Sequence, residues 1–118
     1  MNITPTNNEQ TFIAAYFEAA YFTDAEWDGG DDIEDSELSA GFLRRGTIDC
    51  LAFYAANSFL FKTHISQAGN NFWLTRNGHG AGFWDREDIY GVFEAQQLTT
   101  NAEAFNAIDA EFIDQLER

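Results

Sequence analysis

The chain has 118 residues, enough for one domain with its own core but too few for two. Its residues are 45% hydrophobic and 16% aromatic, which excludes a disordered chain. Its 20 acidic and 6 basic residues give a formal net charge of −14, which argues against direct binding to nucleic acid or to an anionic membrane, because both need a positive protein surface. The charge leaves open a basic partner protein, or a role in solubility alone.

The first predicted element is a helix over residues 11–22, with Asn8 as its cap and residues 1–10 flexible. The apolar residues of TFIAAYFEAAYF recur at the spacing of one helical face. The polar N-terminus has no signal-peptide pattern, and no apolar run approaches the roughly 18 residues of a membrane span. We therefore expect a soluble, cytoplasmic protein.

Residues 24–37, DAEWDGGDDIEDSE, form an acidic stretch without Lys or Arg, and their Gly pair predicts a loop. The carboxylates are those of Asp24, Glu26, Asp28, Asp31, Asp32, Glu34, Asp35 and Glu37. The spacing of Asp24, Glu26 and Asp28 fits the start of an EF-hand loop, but Asp35 stands where that loop needs a bidentate Glu. We therefore predict no specific metal site, leave weak calcium binding open, and expect these side chains to face solvent or a partner.

A long second helix is expected to start at Ser36 or Ser39 and to fade near residues 62–66. Cys50 lies in its apolar run, where a buried, inert thiol is expected. The sequence QAGNN, residues 67–71, predicts a loop after this helix.

The segment NFWLTRNGHGAGFWDR predicts a β-hairpin with strands at about 71–76 and 81–85. Both strands have aromatic and β-branched composition. The Asn77-Gly78 pair between them is typical of tight hairpin turns, because it tolerates positive φ. Trp73 and Trp84 would then form an outward aromatic patch, or both faces of the hairpin would be covered.

His79, in the expected turn, is the residue that looks most like a general acid or base. No Ser or Cys nucleophile stands at a diagnostic spacing from it, and two His and one Cys do not supply a usual zinc site. We therefore predict no enzyme activity and no cofactor, and we retain His79 and Trp84 as partner-binding candidates. A small enzyme that uses His79 with Asp85 and Arg86 is a third possibility.

The C-terminal third allows two interpretations. Thr100 and Glu103 fit the capping box of a helix that continues to Leu116. Equally, Asn106 could end a helix in a left-handed conformation and leave residues 108–113 as an edge strand on the hairpin. Periodicity alone does not choose between them.

Residues 72–86, FWLTRNGHGAGFWDR, resemble the signature of a family of small proteins from bacteriophages and mobile elements. FIAAYFEAAYFTD resembles the family's first helix, and IDCLAFYAAN resembles its Asp-Cys-x-x-Phe helix. LTTNAEAFNAIDAEFID is similar to the family's C-terminal helix and strand, which are joined by Gly where this chain has Asn106. The chain departs from the family at DQLER, where members end in a Gly-Asp-Asp-Gly type turn. The resemblance implies a third strand and a phage or mobile-element origin, and it implies no particular reaction.

The predicted fold is α+β, with helices packed on one face of a small antiparallel sheet in a single domain. The predicted function is a phage-encoded inhibitor of a host defence protein, of the anti-CRISPR or antirestriction type. It would act as a DNA mimic on a basic nucleic-acid-binding surface, through the acidic clusters at 24–37 and 87–117. The alternative is a protein-binding module that uses the 72–86 aromatic hairpin, with charge serving solubility only. The oligomeric state does not follow from the sequence.

Overall fold

A computed structural model describes the backbone of residues 4–27 and 36–114 and the side chains of residues 4–23 and 38–111. The protein is helical. Its elements in chain order are α1 (Asn7–Trp27), β1 (Ser36–Leu38), α2 (Ala40–Phe61), α3 (Ile65–Arg76), a 3-10 turn (Phe83–Asp85), α4 (Glu87–Tyr90), α5 (Val92–Glu103) and β2 (Phe112–Asp114). Within these ranges, no helix is long and apolar enough to cross a lipid bilayer.

The predicted α+β fold is wrong, because the expected hairpin does not form. Residues 71–76 are the second half of α3, and residues 81–85 contain the 3-10 turn. Strand pairing in the described part of the chain is limited to β1 with β2, which run antiparallel with Leu38 opposite Phe112. Two strands of three residues each are too short to form the sheet on whose face the helices were expected to pack. The expected third strand therefore has no hairpin to join.

The Asn77-Gly78 pair ends α3 instead of closing a hairpin. Gly78 has a φ of +69°, and its N–H donates to the Thr75 carbonyl at 3.2 Å. The N–H of His79 donates to the Leu74 carbonyl at 3.0 Å. These two bonds form a Schellman motif at the helix C-terminus. Hairpin turns and this cap both need positive φ, so the Asn-Gly pair does not distinguish between them.

Helices α1 and α2 both begin at side-chain caps. Thr6 and Glu9 form a capping box, in which Glu9 Oε1 accepts from the Thr6 N–H at 2.7 Å and Thr6 Oγ1 accepts from the Glu9 N–H at 3.1 Å. Ser39 Oγ accepts from the Phe42 N–H at 3.1 Å. Ser39 is thus confirmed as the start of the second helix, whereas Thr6 takes the role predicted for Asn8. Helix α1 also begins within the stretch that was expected to be flexible.

The core between the first three helices is mainly aromatic. The rings of Phe53 and Phe72 stack with their centroids 4.2 Å apart. Trp73 is fully buried, and its indole N–H donates to Thr23 Oγ1 at 2.9 Å. Because each aromatic side chain is large, a few of them are enough to fill the interior of a chain of 118 residues.

The loop predicted at 67–71 is wrong, because those residues belong to α3. Gly69 is buried where α3 crosses α1, and a Cβ atom there would overlap the backbone carbonyl of Phe12. The glycine is therefore a point of close helix packing, not a break in the helix.

The chain leaves α5 through a left-handed residue. Asn106 has a φ of +65°, as one of the two sequence interpretations expected. Thr100 and Glu103 lie in the last turn of α5 and not at its start, because the helix begins directly after Gly91, which has a φ of +104°.

Candidate functional site

Arg76, the last residue of α3, is buried at the junction of three parts of the fold. Its guanidinium pairs with Asp49 at 2.9 Å and donates to the Tyr16 hydroxyl at 3.0 Å. It also donates to the backbone carbonyls of Phe105 and Asn106, each at 2.9 Å. Arg76 thus joins α1 and α2 to the turn that follows α5.

The surroundings of Arg76 make it a structural residue. Its guanidinium carbon lies 5.5 Å from the ring centroid of Phe72 and 5.7 Å from that of Phe105, so aromatic faces add to the stabilisation of its charge. Burial raises the pKa of the Tyr16 hydroxyl above its ordinary value, so this hydroxyl stays neutral beside the cation. The hydrogen bonds of the guanidinium are made to protein atoms, and the group does not line an open binding site.

Other polar groups of the 72–86 segment also hold the fold. Thr75 Oγ1 accepts from the Phe83 N–H at 3.0 Å, and Asp85 Oδ1 accepts from the Gly82 N–H at 3.0 Å. A Cβ atom on Gly82 would overlap Thr75 Oγ1, so this position leaves no space for a side chain. Much of the segment that carries the phage-family resemblance thus stabilises the fold through internal contacts.

His79 and Trp84 are the two partner-binding candidates of this segment. They do not lie on a hairpin, because the hairpin does not form. His79 is partly buried and its N–H belongs to the cap of α3, whereas Trp84 is 50% exposed on the 3-10 turn. Trp73 is fully buried, so it does not share an outward patch with Trp84. Val92 and Phe93, which were not predicted as contact residues, are also exposed, at the start of the helix that packs on the 3-10 turn.

The nucleophile and metal chemistry of the described residues is limited. Cys50 is fully buried, and burial raises the pKa of its thiol well above the ordinary value, so the reactive thiolate is disfavoured. No group of three or more His, Cys, Asp or Glu side chains within the described ranges lies close enough to hold a metal ion.

Asp49 is the one acidic side chain in the described ranges that forms an ion pair, to Arg76 at 2.9 Å and to Arg45 at 3.7 Å. The others leave their negative charge uncompensated by a contacting cation. These are Glu9, Glu18, Asp85, Glu87, Asp88, Glu94, Glu103, Asp109 and Glu111. The negative charge of these side chains is therefore not neutralised by ion pairs inside the fold.

The pairing of β1 with β2 brings two acidic segments together. Glu37, at the end of the 24–37 cluster, stands opposite Ile113 in the strand register. Next to this pair, the Ser39 N–H donates to the Glu111 carbonyl at 2.7 Å. The end of the first acidic cluster therefore lies beside the acidic C-terminal stretch, although the two are far apart in sequence.

The predicted partner-binding carboxylates of residues 24–37 lie only partly within the described backbone. Asp24 and Glu26 stand on helical backbone at the end of α1, and Glu37 stands in β1. Their side chains lie outside the described residues. Both backbone and side chain lie outside them for Asp28, Asp31, Asp32, Glu34 and Asp35.

A cavity of about 500 Å³ lies between the start of α2 and the segment before β2. Its lining combines apolar groups with one cation and two carboxylates, and it contains no nucleophile with a neighbouring base. The lining residues are Gly41, Phe42, Arg45, Ile108, Asp109 and Glu111.

The cluster of Arg76, Asp49 and Tyr16 was not predicted from the sequence. Two signals could have found it: Asp49 is the one charged residue in the apolar run TIDCLAFYAA, and Arg76 follows Phe72 by four residues, on the same helical face. A charge on an apolar helical face is usually paired when it is buried.

No protein-family model, no curated protein and no solved structure matches the chain. The likeness of residues 72–86 to the phage proteins therefore stays a resemblance.

Proposed function

We propose that this chain is a phage-encoded acidic inhibitor of a host defence protein, of the anti-CRISPR or antirestriction type. It binds in the host cytoplasm to the basic nucleic-acid-binding surface of its target and takes the place of duplex DNA. The observation that supports this proposal is the β1–β2 pairing, which sets the end of the 24–37 cluster beside the acidic C-terminal stretch.

Charge spacing is the physical basis of such mimicry. Duplex DNA presents one negative charge per about 1.7 Å of its axis, and proteins bind it through Lys and Arg side chains. Carboxylates on a folded surface can engage the same cations. In the described ranges these carboxylates are not paired with cations of the chain itself, with the exception of Asp49. They are therefore available to a basic partner, which the net charge also attracts over a distance.

The alternative function, a module that binds protein through the 72–86 aromatic segment, keeps fewer contact residues than the sequence suggested. Phe72, Trp73 and Phe83 are fully buried. Trp84 remains exposed, and the exposed Val92 and Phe93 at the start of α5 favour an apolar contact in this region.

Release by duplex DNA tests the proposal. A tagged form of the chain is mixed with host lysate, washed in about 0.1 M salt, and challenged with a DNA duplex. We expect the duplex to release a nucleic-acid-processing enzyme. A rise to about 1 M salt should release it too, because the Debye length falls from about 10 Å to about 3 Å. A partner that resists both treatments would contradict charge mimicry.

Paired charge variants locate the contact. Asp109→Asn with Glu111→Gln removes two exposed charges beside the β1–β2 pair, and both amides keep the size of the original side chain. Glu9→Gln with Glu18→Gln removes two charges from α1, outside both acidic clusters, and serves as the control, because Gln at residue 9 can keep the capping box with Thr6. We expect the first pair to weaken binding more than the second. Equal losses would show that only net charge matters.

Trp84→Ala separates the two functions. If the proposal holds, this variant binds its partner as the parent chain does. Loss of binding in Trp84→Ala, with binding retained in the charge variants, would favour the apolar module.

A further inference from the structure

The pair Asn77-Gly78 at the end of α3 is the one Asn-Gly sequence in the chain. An asparagine followed by glycine is prone to deamidation, because glycine has no side chain that hinders attack of its backbone nitrogen on the preceding amide. Gly78 is exposed, and nothing lies within 4 Å of a Cβ atom added there, so water reaches the pair. The conformation of the pair therefore decides whether the reaction occurs.

The reaction has two steps, and water is its one co-reactant. In the first, the Gly78 nitrogen loses its proton to hydroxide and attacks Cγ of Asn77, which closes a five-membered succinimide ring. The bond between Cγ and Nδ2 breaks, and Nδ2 takes a proton from water and leaves as ammonia. In the second step, water adds to one of the two ring carbonyls. Addition at Cγ gives aspartate, and addition at the backbone carbonyl gives isoaspartate, whose main chain runs through Cβ and Cγ.

The folded chain holds the two reacting groups apart. Asn77 has a ψ of 4°, which eclipses the Gly78 nitrogen with the backbone nitrogen of Asn77. Ring closure needs the Gly78 nitrogen eclipsed with Cβ instead, a rotation of about 120°. The side-chain amide is held as well, because Oδ1 accepts from the Ile108 N–H at 2.8 Å and Nδ2 donates to the Trp73 carbonyl at 3.0 Å.

Rotation about this bond requires the C-terminus of α3 to open. The rotation would break the two hydrogen bonds of the Schellman motif, and it would turn the Asn77 side chain away from the Ile108 N–H. The reactive geometry is therefore reached only in a locally opened state, which is a minor fraction of the folded population.

We infer that Asn77 is a deamidation site that the folded chain protects and that opening of the α3 C-terminus exposes to reaction. This inference stands independently of the proposed function, and its tests need no partner protein.

Both products change the cap of α3. Each lacks the Nδ2 donor to the Trp73 carbonyl and places a carboxylate at the C-terminus of a helix, where the helix dipole disfavours negative charge. Isoaspartate also adds one atom to the main chain within the Schellman motif, so the two hydrogen bonds of the motif cannot both form. A reacted chain therefore does not regain the original contact between α3 and Ile108.

Reaction rates in the folded and unfolded chain test the inference. The full chain is incubated at neutral pH in guanidinium chloride or in sodium chloride at the same ionic strength. Peptide mass mapping follows the peptide that contains Asn77, whose mass rises by the difference between water and ammonia. We expect conversion in the folded chain to be at least tenfold slower, because it waits on the opened state. Equal rates, or no conversion in the unfolded chain, would overturn the inference.

Asn77→Gln is the control for the effect of the reaction on the fold. Glutamine closes a less favourable six-membered ring, so this variant reacts far more slowly. Each chain is held unfolded briefly or until the parent is converted, and is then refolded and unfolded by heat. We expect the long incubation to lower the unfolding midpoint of the parent chain and to leave that of Asn77→Gln unchanged. An unchanged midpoint in the converted parent, or equal losses in the two chains, would contradict the role assigned to Asn77.

Discussion

At the scale of single residues, the buried Arg76 has the largest consequences for stability. Moving a guanidinium out of water is costly, and the cost is offset here by Asp49, Tyr16, two backbone carbonyls and two aromatic rings. Removal of the one anionic partner would leave a buried charge with neutral partners only. Asp49 itself is 15% exposed and reaches water, so the loss falls mainly on the arginine.

We expect Asp49→Asn to lower the free energy of unfolding by about 3 kcal/mol, in the range for breaking one side of a buried ion pair. Urea unfolding monitored by circular dichroism measures the change. Arg45→Gln is the matched control, because it removes the exposed partner of the same carboxylate and should cost less than about 0.5 kcal/mol. Equal losses in the two variants would mean that Arg76 gains little from the ion pair.

Tyr90 should make stability fall in alkali. Burial raises the pKa of its hydroxyl above the ordinary value of 10.0, and the hydroxyl donates to Asn71 Oδ1 at 2.9 Å. Above about pH 10 the unfolded chain releases this proton and the folded chain keeps it. Stability is therefore unaffected below that pH and declines above it, by up to about 1.4 kcal/mol per pH unit.

Tyr90→Phe tests this linkage. The variant should lose about 1 kcal/mol at pH 7, where the hydrogen bond is removed, and its stability should fall less steeply between pH 10 and pH 11. Urea unfolding at several pH values gives the slope. An unchanged alkaline slope would show that the Tyr90 proton is not retained on folding.

At the scale of helices, the contact between α1 and α3 depends on a missing side chain. Gly69 brings the α3 backbone against the Phe12 carbonyl, and neither backbone can move aside alone. Aromatic groups on both helices fill the space on either side of this approach, as Phe12 and Phe72 do with ring centroids 6.0 Å apart. A shift of one helix would therefore disturb several ring contacts at once.

We expect Gly69→Ala to destabilise the protein by about 1–3 kcal/mol, although alanine is the better helix former. Gly41→Ala is the control, because Gly41 is also helical and nothing lies within 4 Å of an added Cβ atom. That change should raise stability by up to about 1 kcal/mol. Thermal unfolding of both variants gives the comparison, and changes of the same sign would contradict the packing argument.

The elements that the sequence predicted well are those whose local sequence pattern is consistent with only one structure. The periodic apolar residues of α1, and Ser39 before α2, match the helices observed. Gly69 and Gly78 were interpreted as loop and hairpin signals, because glycine meets several demands that a sequence does not separate. Gly69 allows close packing of two helices, and Gly78 caps a helix. Which demand applies depends on tertiary contacts.

The candidate site was predictable only in part, for the same physical reason. Composition alone indicates an acidic surface, since so few basic residues are available to neutralise it. The pairing of Glu37 with Ile113 joins segments far apart in the chain, and no local pattern encodes it. The hairpin prediction placed Trp73 and Trp84 by the alternating faces of strands. In the structure Trp73 is buried and Trp84 is exposed, because residues 71–76 are helical.

At the scale of the whole molecule, net charge acts against compactness. A folded body with a charge of −14 holds its carboxylates closer together than the unfolded chain does. In the described ranges, ion pairs relieve this repulsion only around Asp49. Screening ions should therefore stabilise the fold.

We expect the midpoint of urea unfolding to rise as sodium chloride is added, because screening reduces the repulsion more in the folded state than in the unfolded one. Urea is the suitable denaturant, since guanidinium chloride is itself a salt. Sucrose at matched osmolarity controls for solute effects that do not depend on charge. A midpoint that falls with added salt would mean that attractive charge pairs outweigh the repulsion.

The anchoring of Arg76 to the carbonyls of Phe105 and Asn106 has a consequence for synthesis of the chain. While the protein emerges from a ribosome, α1, α2 and α3 are complete about 30 residues before those carbonyls appear, so Arg76 then has only its partners on α1 and α2. The nascent helices consequently expose one edge of an aromatic core until α5 and the following turn arrive. Translation pauses before Asn106 has left the ribosomal exit tunnel would lengthen that exposure, whereas later pauses would not.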